Sequence, residues 1–138
     1  MSRVFAEHGP GTYDDCAPAD KDEEGNTGAS EDDTVLRPMS YFTDVLDTET
    51  TIVMGIVGVP PGYSGDITYA DSDDATFQDN YGIGPGCAAS SVTAIPPVRL
   101  RAFVESFGSN GSLHSICDDD YTAALSALAD NIVARFEE

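Results

Sequence analysis

Three groups of residues carry side chains able to do chemistry. Asp118, Asp119 and Asp120 stand in a row in SLHSICDDDYTAALSALADNIVARF (112–136). Asp71, Asp73 and Asp74 crowd the stretch DSDDATFQDNYG (71–82). Cysteines lie at 16, 87 and 117, with His114 close to the last of them. Clustered carboxylates can hold calcium, which takes ~6–8 oxygen ligands. A thiol or carboxylate in hydrogen-bond reach of a histidine can serve nucleophilic or acid–base catalysis.

Each group has a simpler reading. Tyr121, Ala124, Leu125, Leu128, Ile132, Val133 and Phe136 follow the triplet as an apolar stripe at helical spacing. The three aspartates therefore stand at a helix N-terminus. One carboxylate there caps exposed backbone N–H groups, and the others favour the positive end of the helix dipole. In 71–82 the spacing of acids is irregular, and Gly82 comes too late for a calcium-loop turn. That stretch reads as a solvated loop. An acidic calcium-binding domain stays as the alternative, with Asp71, Asp73, Asp74, Asp118, Asp119 and Asp120 as its candidate ligands.

Zinc has no footing, because no CxxC pair or cysteine–histidine cluster occurs. GxSxG, HExxH, a Walker loop and GxGxxG are also missing. GIGPG (82–86) neither follows a clear strand nor opens a helix, so it reads as a loop. An enzyme would have to use His114 with Asp118, or Cys87 near a histidine. The sequence favours a non-catalytic chain that needs no cofactor.

The elements that must position these residues follow from periodicity. RPMSYFTDVLD (37–47) places Met39, Phe42, Val45 and Leu46 on one face of a short helix. TTIVMGIVGV (50–59) is a β-branched run without polar alternation and fits a strand covered on both faces, with Pro60 and Pro61 ending it. DITYA (66–70) alternates like a short strand. PPVRLRAFVESF (96–107) sets Leu100, Phe103, Val104 and Phe107 at i, i+3, i+4 and i+7, with Pro97 suited to the first helical position and Gly108 to the end. SLHSIC (112–117) reads as a strand, and 121–136 as the last helix.

Strand, loop, helix, strand, helix is the order of half an open parallel α/β sheet. Two parallel strands cannot cover themselves. The missing ones come from a partner chain, from residues 1–36, or from a further part of a larger protein. Residues 1–36 form an acidic, irregular segment with few large apolar side chains, so the domain proper is 37–138.

Composition narrows the partners. Six cations against 25 acids leave a net charge of −19. Such a surface repels nucleic-acid phosphates and anionic membranes. The longest apolar run, 52–61, is about half the ~20 residues that a membrane helix needs. The N-terminus shows no signal peptide. An odd cysteine count leaves one thiol over in a monomer.

The phrases PMSYFTDVLDTETTIVMGIVGVPP, IGPGCAASSVTAIPPVRLRAFVESFG and GSLHSICDDDYTAALSALADNI resemble, in that order, the C-terminal half of a von Willebrand factor type A (VWA)-like domain of bacterial exported lipoproteins. SRVFAEHGPGTYDDCAPAD resembles, more loosely, a cysteine-bearing stretch in the middle of such domains. The resemblance implies a partial doubly wound, Rossmann-like parallel sheet with flanking helices. TTIVMGIVGV would be a central strand and SLHSIC the next one outward. It also implies an exported, periplasmic or cell-surface parent protein and a disulfide between Cys87 and Cys117. Cys16 would be the odd thiol, with Val4 where such domains carry another cysteine.

The pattern departs from the family at its metal site. No DxSxS loop is present, and TTIVMGIVGV runs into Gly58-Val59-Pro60-Pro61 without an acid. The metal-dependent adhesion set cannot be assembled from this chain. The expected function is therefore a binding module that meets a protein partner or the missing N-terminal half of the domain.

Overall fold

The computed structural model describes residues 11–13, 16 and 39–136. In chain order the elements are β1 (Thr12–Tyr13), α1 (Met39–Thr43), β2 (Val53–Val57), β3 (Tyr69–Ala70), α2 (Ala75–Tyr81), β4 (Cys87–Ala88), β5 (Thr93–Ala94), α3 (Val98–Glu105), β6 (Gly111–Ser115) and α4 (Thr122–Phe136).

At the centre, β2 and β6 run parallel, in register from Val53 opposite Gly111 to Val57 opposite Ser115. The two apolar stretches expected to be neighbouring strands are thus neighbours in one sheet. Helix α3 packs across both. It approaches closely because a sheet position lacks a side chain: a Cβ on Gly111 would sit 2.0 Å from the Val104 carbonyl oxygen. Gly55 makes room within the sheet for Leu113, whose Cδ2 a Cβ there would meet at 2.9 Å. The C-terminal ends of the strands are tied by Ser115, whose hydroxyl donates to Val59 O at 2.6 Å and accepts from Cys117 N at 3.0 Å. Both Ser115 and Val59 are fully buried.

Two small antiparallel ladders flank this unit. β4 pairs with β5, and β1 pairs with β3 through Thr12 opposite Ala70 and Tyr13 opposite Tyr69. Part of the segment expected to be irregular is therefore a strand docked on the rest of the chain. Cys16 is buried in a cluster with Tyr69 and Ile83, against which Ile67 and Val98 pack. The remainder of 1–36, including Val4, lies outside the described residues.

Several expectations change. The loop assigned to 71–82 contains α2. Its capping signals are local: Asp74 Oδ1 accepts from Thr76 N at 2.8 Å and Phe77 N at 3.2 Å, while Gly82 ends the helix in the left-handed conformation at φ 69°. α1 stops at Thr43, which leaves Val45 and Leu46 exposed in the turn that follows. Pro97 is the N-cap of α3, not its first helical residue. DITYA keeps strand geometry only at Tyr69–Ala70. The architecture is mixed α/β with a two-stranded parallel sheet and four α-helices among the described residues.

Burial is uneven. Every residue of β2 and all but Ser115 of β6 are only half-buried. The apolar stripe expected on α4 is present but poorly covered: Leu125 and Val133 are more than half exposed and Phe136 is 87% exposed.

Candidate functional site

The aspartates flagged by sequence divide among separate structural tasks. Asp71 holds the start of the turn before α2. Its Oδ2 accepts from Gly11 N at 2.5 Å, and its Oδ1 accepts from Gln78 Nε2 at 3.1 Å. Gln78 Oε1 in turn accepts from Ser72 N at 2.7 Å. Asp74 caps α2, and its own N–H donates to Ser72 Oγ at 3.1 Å. Asp73 is exposed beside them.

Asp120 opens α4, where its Oδ1 accepts from the Thr122 hydroxyl at 2.6 Å and from Thr122 N at 2.9 Å. The Thr122 hydroxyl, then the Thr122 N–H, hold the Asp120 carboxyl below the usual carboxylate range. Asp119 is exposed and Asp118 half-buried in the same turn. Among the described residues no group of three or more His, Cys, Asp and Glu is arranged to hold a metal ion.

Cys87 and Cys117 are joined by a disulfide that closes a loop of sequence separation 30. It fastens β4 to the turn after β6, next to Ser115. Cys16, the candidate odd thiol, lies outside that bridge in the Tyr69 cluster. His114 is in β6, opposite Ile56. Its Nε2, like Ser112 Oγ on the same face, is shielded from solvent and meets no hydrogen-bond partner among the described residues.

A polar clamp that sequence reading missed holds α3 to the loop before β3. Arg101 Nε donates to Glu105 Oε1 at 2.7 Å, Nη1 to Tyr69 OH at 3.2 Å and Nη2 to Gly65 O at 3.1 Å. Tyr63 OH donates to the same Glu105 oxygen at 3.3 Å. Glu105, then the Tyr69 hydroxyl, raise the Arg101 pKa above its ordinary value. Arg101 and Glu105 are an i, i+4 pair, a spacing visible in the sequence; Tyr69 and Gly65 are brought in only by the fold.

The feature with most capacity for recognition is the free side of β2. Ile116 N–H donates to Val57 O at 2.8 Å, so Val57 directs its backbone groups at β6. Backbone direction alternates along a strand. The N–H and C=O of Met54 and Ile56 therefore face the opposite edge, where no strand pairs among the described residues.

At the C-terminal end of β2 lies a groove of about 420 Å³, walled by Ile56, Phe77, Tyr81, Ile95, Leu100 and Ile116. Phe77 and Tyr81, one turn apart on α2, bring their ring centroids to 4.5 Å. Leu100 also lines a second apolar cleft of about 270 Å³ with Met39, Phe42, Arg99 and Phe103. The two hollows meet at a side chain that is 57% exposed. Outward backbone groups on β2 and exposed apolar side chains around its C-terminal end make up this feature. This arrangement can hydrogen-bond an extended chain and bury its side chains.

Comparison with protein-family models, with curated proteins and with solved structures returns no match for this chain. Among the described residues, no helix is long and apolar enough to cross a membrane.

Proposed function

We propose that this chain is a non-catalytic interaction module whose parallel sheet is completed from outside the described residues, by strands of a protein partner or of the N-terminal half of a VWA-like domain. The observation that carries this reading is β2 itself. Its sequence, VMGIV, is apolar on both faces, yet among the described residues it is paired along one edge only. Parallel strands of this kind occur inside larger sheets with both faces covered, and a two-stranded unit is marginal by itself.

Three further features support incompleteness. All five β2 residues keep partial solvent exposure. Tyr81, Ile95 and Leu100 are exposed around the groove at the end of β2. Among the described residues, Ser112 Oγ and His114 Nε2 stand shielded and meet no complementary polar group on the face away from Leu113. Of the residues able to do chemistry, Asp71, Asp74 and Asp120 are engaged in turns and caps, and Cys87 and Cys117 in a crosslink. The doubly wound topology and the exported, disulfide-bearing parent protein belong to the same proposal.

Hydrogen exchange combined with light scattering tests it. The isolated chain should exchange the Met54 and Ile56 amides much faster than those of Gly55 and Val57, because only the latter pair face β6. A compact monomer in which all four amides are equally slow would show that the sheet needs no completion.

A further inference from the structure

The Cys87–Cys117 bridge joins two segments that both wall the groove at the end of β2. On one side, Cys87 pairs with Ala94 in the β4–β5 hairpin, and Thr93, Ala94 and Ile95 line the groove. On the other, Cys117 directly follows Ile116, a further wall residue. The crosslink therefore fixes one wall against the other.

Little else holds the hairpin. Among the described residues, the hydrogen bonds of 86–95 close within the hairpin itself: Gly86 N–H donates to Ala94 O at 2.8 Å, and Ala89 N–H to Val92 O at 2.7 Å. From 85 to 95 the only buried residue is Cys87. The remaining seat is a backbone contact with no side chain in it. A Cβ on Gly86 would lie 2.0 Å from Gly58 O, and one on Gly58 would lie 2.1 Å from Ile95 O. The Cys117 end is firm by comparison, since Cys117 N–H donates to the buried Ser115 hydroxyl, which donates to Val59 O.

We infer that the bridge is a redox latch for the groove. The walls stand together in the disulfide form, and a dithiol that reduces the bond lets the hairpin lift away. One thiolate of the reductant attacks Sγ of Cys87 or Cys117, the S–S bond breaks, and the released sulfur takes up a proton. The second thiol of the reductant then displaces the other cysteine from the mixed disulfide. Two electrons and two protons pass to the cysteines, and the dithiol ends as its own disulfide. Nothing in this depends on how the sheet is completed.

The latch is harder to open than to close. Both half-cystines are buried, Cys87 at 7% and Cys117 at 4% exposure. A thiolate reaches them only once the hairpin has begun to lift. After reduction the lifted hairpin presents Cys87 to solvent, where exchange with an oxidised partner re-forms the bond.

The test follows isotopically labelled isoleucine methyls by NMR while dithiothreitol is added to the whole chain and then removed in air. Alkylation and mass spectrometry report which cysteines are free. Ile95 and Ile116 stand on the two walls, whereas Ile67 packs against the Cys16 and Tyr69 cluster. The Ile95 and Ile116 signals should move on reduction and return on reoxidation, while that of Ile67 stays. The Gly86 and Ala89 amides should speed up in hydrogen exchange by about tenfold more than the Ile116 amide, which Val57 O holds in the sheet, because the hairpin opens locally.

The variant Cys87→Ala, Cys117→Ala should show the reduced pattern in any redox buffer. If all three methyls move together, or the three amides speed up equally, the bridge holds the whole fold and the latch is wrong. If none moves although both cysteines are alkylated, the groove does not depend on the bond. A bridge that stays intact in dithiothreitol at neutral pH would remove the redox step.

Discussion

The bond between Cys87 and Cys117 should account for a large share of the stability of this fold. The bridge closes a loop of sequence separation 30. For a loop of that length, the lost chain entropy of the unfolded state is about 12 cal/mol/K, or about 3.6 kcal/mol at 25 °C. Small domains have only ~5–15 kcal/mol in total. The sheet here is two strands wide and half-buried, so tertiary packing compensates little for the loss. The perturbation is the double variant Cys87→Ala, Cys117→Ala, which removes both thiols without burying a hydroxyl. Urea unfolding followed by far-UV circular dichroism reads the result. With a slope of about 2 kcal/mol/M, the midpoint should fall by ~2 M. Wild-type protein held in reductant should show nearly the same fall, and peptide mapping without reduction should find the two cysteine peptides linked. A midpoint shift below about 0.3 M in both samples would refute the reasoning, since a constrained loop of this size has to change the unfolded state.

Two further outcomes follow from local geometry. Gly58→Ala should destabilise by about 3 kcal/mol, because the added Cβ would lie 2.1 Å from the Ile95 carbonyl oxygen, a backbone atom that cannot swing aside; an unchanged urea midpoint would show that the Ile95 backbone does not lie against Gly58. Acid should weaken the start of α4. The Asp120 carboxyl is held low by Thr122, and that of Asp47 by the Glu49 N–H first and the Thr50 hydroxyl next. A lowered folded pKa gives a contribution that is complete above the unfolded value of ~3.9 and fades as pH falls through the folded value. Stability should therefore drop below about pH 4 more steeply in wild type than in Asp120→Asn, measured by urea midpoints across pH; coincident curves would remove the carboxylate from that role.

Much of the fold could be read without coordinates wherever a pattern was long. The run 50–59 is β-branched without polar alternation, and its core is β2. Leu100, Phe103, Val104 and Phe107 share a helical face, and α3 forms there. The α4 stripe covers four turns and gave that helix to within one residue. What failed was short. α2 spans seven residues with few apolar positions, and the acids around it drew attention to metal chemistry. Asp74 and Gly82 were its only strong signals, and both are equally at home in a loop. The pairing of Thr12–Tyr13 with Tyr69–Ala70 joins residues far apart in the chain, and two-residue strands carry no period to detect.

The candidate site was legible only in its parts. The apolar run marked β2 as a strand, and the net charge spoke against nucleic acid and anionic membranes as partners. That Phe77, Tyr81, Ile95, Leu100 and Ile116 meet around the end of β2 could not be read, because they come from α2, the segment before α3, α3 itself and the turn after β6.

By itself, the sequence determined the local elements, the acidic surface, the absence of the common catalytic motifs and the apolar character of both central strands. These are properties of single segments, governed by periodicity, capping and charge. The tertiary structure alone decided that β2 and β6 are parallel neighbours, that Cys87 lies against Cys117, that the flagged aspartates are spread among caps and turns, and that an apolar groove forms at the end of β2, whose other edge is unpaired among the described residues. Those outcomes depend on which distant segments share the buried space, and packing between segments leaves no periodic trace along the chain.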